Sequence, residues 1–284
     1  MTVRIEKDGA VWTVIHSRAQ ARNAMDPASA EALVAAFNDF NDDASALVAV
    51  LWGEGGAFCA GFDLKHAGSM LEAERSLDAL AYPEDDATRP GGEEWNRIAR
   101  GLEWNRTARG PMGPTRMELD KPVIAAVAGP AVAGGFELAL WCDVRVMESS
   151  AYFGVYCRRW GVPLIDGGTV RLPRIVGMGR AMELILTGRK LPAEEALRIG
   201  ACEQVVPDGE SRRHAEAMAQ TIARFPQACV RADRRSVYRQ QGLTQRAAMR
   251  YEWVNGAPVF AAEGAQGAQR FSSGGGRHGS FSDT

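Results

Sequence analysis

The feature that most constrains this chain is the run KPVIAAVAGPAVAGGFELALWCDV, residues 121–144. Its first part is apolar and rich in small and β-branched residues, the composition of a strand buried on both faces. It then meets Gly134-Gly135 and enters FELALW, a helix-forming segment whose one carboxylate is Glu137. A strand that feeds a tight turn and then a helix is the unit of a layered α/β fold. Glycine at the turn lets backbone N–H groups approach a ligand with no Cβ in the way. The first N–H groups of a helix have no internal acceptor and sit at the positive end of its dipole, so they can hold a developing negative charge. With Glu137 in the first helical turn, the layout is that of an oxyanion site with an acid/base group beside it. A plain packing turn is compatible with the same residues, because a first-turn carboxylate is favoured by the dipole alone.

A second stretch, LWGEGGAFCAGFDL at residues 51–64, has the same character. The apolar run LVAVLWG reads as a buried strand and leads to the small-residue turn Cys59-Ala60-Gly61, with Phe62 following. Such a turn exposes backbone amides, and two turns after two strands can supply two N–H donors to one oxygen.

Taken in order, AFCAGFDL, KPVIAAVAGPAVAGGFELAL and FGVYCRRWGVPLIDGGTVRLPRIVG resemble the crotonase family, also called the enoyl-CoA hydratase/isomerase superfamily. The resemblance runs from about Val3 to the helices after Pro226. It implies an α/β fold, a crotonase-like spiral of ββα units with a C-terminal helical region. It also implies an enzyme of fatty-acid or related acyl-CoA metabolism, which stabilises an acyl-CoA enolate through the backbone N–H groups of Phe62 and Gly134. Ala60 matches a residue whose backbone meets the adenine of CoA, Gly61 shares its loop, and Arg22 in the R-N-A-M segment lies near the CoA nucleotide. Glu137 matches the first of the two catalytic glutamates of the hydratases. No permanent cofactor is implied; coenzyme A enters as part of the substrate.

One departure from the family pattern bears on the chemistry. The second hydratase glutamate follows F-G-x-P-E, and the equivalent run here is Phe153-Gly154-Val155-Tyr156-Cys157. Cys157 stands where that carboxylate belongs, and a thiol is a poor group for positioning and activating water. Asp166 aligns with an aspartate that some isomerases of the superfamily use in proton transfer, so Glu137 and Asp166 are the expected working pair. The competing role for Asp166 is to cap the helix that begins near Gly167-Gly168-Thr169. An enoyl-CoA hydratase or isomerase is the first reading. The alternatives are another crotonase activity (isomerase, decarboxylase or hydrolase) and a CoA-binding protein without hydratase activity.

The rest of the chain sets limits. At 284 residues the chain can bury a full core as one large domain or one domain with a small appendage. Its net charge of −2 gives no footprint for nucleic acid. No run approaches the length of a membrane span, and MTVRIEKDGA has no signal-peptide core. Five scattered cysteines without C-x-x-C spacing point to free thiols in a reducing cytoplasm, and four histidines without helical pairing argue against a metal site.

VRIEKDGAVWTVIHS predicts a hairpin about Lys7-Asp8-Gly9, and Asp26-Pro27 predicts a helix start with Leu33, Val34 and Phe37 on its apolar face. The acidic, Pro/Gly-rich AYPEDDATRPGGEEWN reads as a loop, followed by a duplication at residues 94–101 and 103–110 that reads as a local insertion. By resemblance Trp95 and Trp104 are candidates for the acyl pocket. DVRVMES and EQVVP read as strands, RLPRIVGMGRAMELILTGR and LPAEEALRIG as helical. Buried apolar strands alternating with helices predict a mainly parallel sheet covered on both faces.

The expected division is an α/β core at 1–207, a helical region at 208–270 that covers the site and builds a homotrimer or a hexamer of paired trimers, and a loose Gly/Ser-rich tail at 271–284 bearing Arg277-His278.

Overall fold

The computed structural model describes residues 2–66 and 109–274. The chain forms two compact units, Met1–Pro83 with Asn105–Gln220, and Glu84–Trp104 with Thr221–Thr284. The predicted loop, the duplication with Trp95 and Trp104, and Arg277-His278 lie outside the described residues, apart from Arg109 and Gly110.

The first unit is built on a six-stranded sheet: β1 (Val3–Asp8), β2 (Val11–His16), β3 (Val48–Gly53), β4 (Val123–Val127), β6 (Val144–Glu148) and β9 (Gln204–Val206), paired in that spatial order. The hairpin β1/β2 is antiparallel with Asp8 opposite Val11; every other pair is parallel. Val48, Ala49, Val50 and the whole of β4 are buried, which is why these runs carry no polar alternation.

A second, three-stranded sheet holds β5 (Pro130–Val132), β7 (Tyr152–Gly154) and β8 (Lys190–Pro192), with β7 in the middle. β5 separates β4 from the helix α2 (Gly134–Trp141). The sequence reading of one strand running straight into the turn is therefore corrected: the chain leaves the large sheet at Ala128-Gly129, adds three residues to the small one, and only then turns.

Helix α1 (Pro27–Asp42) starts where expected. Asp26 accepts the Ser29 N–H at 2.8 Å, Pro27 needs no acceptor at the first helical position, and Leu33, Val34 and Phe37 are buried. Downstream, α3 (Gly168–Val176) and α4 (Met178–Thr187) are separated at Gly177, whose φ of +84° suits glycine. α5 (Ala193–Ile199) is closed by Gly200 in the left-handed conformation, and α6 (Ser211–Ala223) follows β9. The helical region expected from residue 208 thus begins with a helix that starts in the first unit.

In the second unit, Pro226 precedes α7 (Gln227–Arg239), and α8 (Gln245–Val259) is capped by Thr244, whose hydroxyl accepts the Ala247 N–H. A π-turn at Phe260–Gly264 leads into α9 (Ala265–Ser272). Glu263 accepts the Ala228 and Cys229 N–H groups at 3.3 and 3.0 Å, tying the π-turn to the open amides of α7.

Candidate active site

A cavity of ≈ 390 Å³ opens in the first unit, with Phe62, Met112, Gly134, Glu137, Cys157 and Asp166 among its lining residues. Two turns form one wall. In the first, the expected row of open amides at Cys59-Ala60-Gly61 is reduced to one. Ala60 N donates to Arg22 O at 3.0 Å, Gly61 N to Cys59 Sγ at 3.4 Å, and Asp63 N to Met25 O at 2.8 Å. Among the described residues the Phe62 N–H has no acceptor. The Arg18 guanidinium, 3.1 Å from Asp63 and 3.4 Å from the cap residue Asp26, holds this turn against the start of α1.

The second turn is Ala133 and the head of α2. Ala133 takes φ +53° and ψ −126°, a conformation that costs a non-glycine residue roughly 1–3 kcal/mol. Its N–H donates to Gly154 O at 2.8 Å, which fixes the turn to β7. The Gly134 N–H, first of the helix, has no acceptor among the described residues.

The two turns are in direct contact. Val132 N donates to Cys59 O and Phe58 N to Pro130 O, each at 3.0 Å. A Cβ placed on Gly61 would stand 2.9 Å from Ala133 Cβ and 3.3 Å from Gly134 N; one on Gly135 would stand 2.1 Å from Cys59 O. The glycines at these positions are required by this close approach.

Glu137 is 3 % exposed. α2 is buried along its whole length, with Phe136 stacked on Phe153 at 4.4 Å and Trp141 Nε1 donating to Met117 O, so the first helical turn cannot rotate the carboxylate away. Glu137 Oε1 accepts the Asp166 N–H at 2.9 Å and the Gly168 N–H at 2.8 Å. Oε2 has no partner among the described residues and is the oxygen left for the cavity. Burial, reinforced by the charge of Asp166, pushes the Glu137 carboxyl up to about 7.

Asp166 is equally buried, and burial raises its carboxyl as well. It does not cap α3: the cap position is Gly167, with no side-chain bond, and the helix's first amide is held by Glu137. Instead Asp166 Oδ1 accepts the Thr115 hydroxyl at 2.5 Å and the Met112 N–H at 3.1 Å. Glycine at position 110 leaves room for this, because a Cβ there would fall 2.0 Å from Oδ1. Arg171 donates to Asp166 O at 2.9 Å and Thr115 O at 2.6 Å, and Arg116 donates to Ile165 O.

Cys157 lies in a 3-10 turn, Tyr156–Trp160, and faces the same cavity. Burial first, then the neighbouring Glu137, raises its thiol, which is therefore neutral near pH 7. Ala60 lines the cavity, whereas Arg22 and Gly61 do not; Gly61 acts through its backbone in the turn. The sequence singles out Glu137, Asp166, Phe62 and Gly134, and the fold brings these four together. The sequence gives no sign of Thr115, Met112 and Arg18, because PMGPTRM and HSRAQ carry no local pattern that announces a contact 45 or more positions away, nor of Arg171, whose second acceptor, Thr115 O, is 56 positions upstream.

Known proteins supply an independent line. The family profile described as Enoyl-CoA hydratase/isomerase matches residues 6–84 and 115–272. The chain is 32 % identical over 273 residues to the enoyl-CoA hydratase EchA19 of Mycobacterium tuberculosis, covering 94 % of this chain and 91 % of that protein. It is also 32 % identical over 238 residues to a short-chain-enoyl-CoA hydratase of Clostridium acetobutylicum, covering 84 % and 81 %. A crystal structure of an enoyl-CoA hydratase from M. tuberculosis H37Rv superposes with a TM-score of 0.79 at 31 % identity, covering 96 % of both chains. The crotonase-like fold read from the ordered motifs is borne out, and the protein is an enzyme of the enoyl-CoA hydratase/isomerase family.

Proposed function

We propose that the cavity performs proton transfers on an enoyl-CoA thioester, moving its double bond through an enolate, with Glu137 and Asp166 as the working pair. The observation that carries this is the pairing of two carboxyl groups in one buried cavity, beside two amides without acceptors among the described residues. The Phe62 and Gly134 N–H groups face a thioester oxygen and hold the charge that appears there when the α-carbon loses a proton. One carboxylate takes that proton and the other carboxyl delivers one to the γ-carbon, so the bond shifts and nothing is added. Cys157 favours this reading over hydration: a neutral thiol neither orients nor deprotonates water at the position where the family's second glutamate acts.

Hydration is the second reading, favoured by the similarity to proteins named enoyl-CoA hydratases. Mass spectrometry of products from a 3-enoyl-CoA and from crotonyl-CoA separates the two. Isomerisation leaves the mass of the 3-enoyl thioester unchanged; addition of water to crotonyl-CoA as the faster reaction would overturn the proposal. Asp166→Asn is expected to lower turnover by about 100-fold or more with KM little changed; unchanged turnover removes Asp166 from the mechanism.

The same proposal places the adenine end of CoA along the Ala60-Gly61 loop and near Arg22, with no permanent cofactor. It makes the enzyme cytoplasmic and a homotrimer or hexamer. Exposed Trp253 and Phe260 in the second unit, and Met178, Met182 and Leu186 on α4, supply apolar faces for such assembly. No described helix is long and apolar enough to cross a membrane.

A further inference from the structure

From the hydrogen bonds around Asp166 we infer that Thr115 is a positioning residue that keeps Asp166 the ionised member of the pair, so that Asp166 removes the substrate proton and Glu137 delivers one. The inference rests on the pair proposed above and goes beyond it by giving each carboxyl a direction.

Each carboxyl has two donors on a single oxygen, but the donors differ in kind. Glu137 receives two backbone N–H groups and faces the charge of Asp166. Asp166 receives one backbone N–H and the Thr115 hydroxyl, and its field includes Arg116, while Arg171 acts on both carboxyls. Arg171 grips the carbonyls of both Asp166 and Thr115, so the hydroxyl and the carboxylate it serves are set on one brace. Thr115 is wholly buried, and no solvent competes for its proton.

The other titratable groups nearby are Cys59, which feels the Asp166 charge, and Cys157, which feels that of Glu137; burial keeps both thiols neutral. The anion of the pair is thus stabilised on the Asp166 side, and burial, reinforced by that charge, keeps the proton on Glu137. In the forward reaction the Asp166 carboxylate takes the α-proton, the Glu137 carboxylic acid gives its proton to the γ-carbon, and a proton passing between the two carboxyls restores the start.

Thr115→Val keeps the shape and removes the hydroxyl. The acidic limb of the kcat/KM profile, which reports ionisation of the base, is expected to move upward by about one pH unit, since a hydrogen bond to a charged group is worth about that much. Well below that limb kcat/KM falls about tenfold, KM holds, and Thr115→Ser restores the wild-type profile. A merely structural Thr115 would lower stability without moving the limb, and an unmoved limb in folded Thr115→Val overturns the inference. If Thr115→Val does not fold, Thr115→Ala against Thr115→Ser makes the same comparison. Asp166→Asn separates the two levels: an active Asp166→Asn variant sinks the pair itself, whereas an inactive one with an unmoved Thr115→Val profile sinks only the role of Thr115.

Discussion

The two turns that face the cavity reach a similar result by opposite means. The turn at Cys59–Phe62 leaves one amide open and adds no ionised group to the cavity: Gly61 takes φ +94° without strain, and the loop is held from outside by Arg18, Asp63 and Met25. The turn at Ala133–Gly135 leaves one amide open too, but it runs through a strained alanine, is locked by a fully buried helix, and carries an acid. The first adds an open amide alone; the second adds an open amide and, one helical turn on, a buried carboxyl. A symmetrical pair of amides is therefore backed by an asymmetrical division of strain and charge.

The sharpest way to break that asymmetry is Glu137→Gln, which keeps an oxygen for the Asp166 and Gly168 amides and removes the proton carrier. Turnover is expected to fall by about 10²–10⁴-fold, read as kcat on the preferred enoyl-CoA. Stability should move the other way. The folded state holds the Glu137 proton at about 7 against an ordinary 4.5. The stability this gives is full below the ordinary value and is lost as pH rises through about 7, at a rate of ~1.4 kcal/mol for each pH unit crossed between the two values. The Gln variant should melt above the wild type at pH 8, and the gap should close by pH 4. A variant that melts lower at both pH values would show that the carboxylate is not under strain from burial.

Gly135→Ala tests the contact between the turns. The added Cβ would sit 2.1 Å from Cys59 O and 2.8 Å from Cys59 C, both backbone atoms that cannot swing aside. Overpacking of this kind costs about 1–3 kcal/mol. A displacement near 1 Å between the two open amides should lower kcat/KM by about 100-fold. A variant with wild-type kcat/KM would mean that the amides do not act on one atom.

Much of this arrangement is legible in the sequence, and the boundary of what is legible has a physical cause. Asp26-Pro27, the glycine turns and the apolar runs are local signals, because caps, φ angles and burial on both faces act through neighbours in the chain. Glu137 is legible for the same reason, since a first-turn carboxylate declares itself by position. β5 is not legible: three residues, Pro-Ala-Val, have no period, and only pairing with β7 makes them a strand. Nor is the true partner of Asp166. An aspartate before two glycines has a cap as its competing role, yet Gly167 takes the cap position with φ +95° and the side chain meets Thr115, 51 positions upstream. The Cys157 departure is visible in the motif; what it faces is not, because the 3-10 turn that carries it is placed by contacts with Ile185 and Gly188.

The smallest expected effect separates the two turns by strain alone. Ala133→Gly removes a non-glycine residue from φ +53°, ψ −126°. Relief of that conformation is worth roughly 1–3 kcal/mol. Against it stand the extra freedom that glycine gives the unfolded chain, about 0.5–1 kcal/mol, and the loss of the methyl packed over Gly61. The first effect is the larger, so the variant should melt a few degrees higher, with kcat/KM falling no more than severalfold because the Ala133 N–H to Gly154 O bond still aims the helix. Gly61→Ala, the matching change in the other turn, has no strain to relieve. It forces an alanine to φ +94° with Ala133 Cβ 2.9 Å away, and it should melt lower. Opposite shifts in melting temperature for the two substitutions are what the asymmetry requires; shifts of the same sign would mean that the Ala133 conformation stores no strain and that both turns are held only by what packs around them.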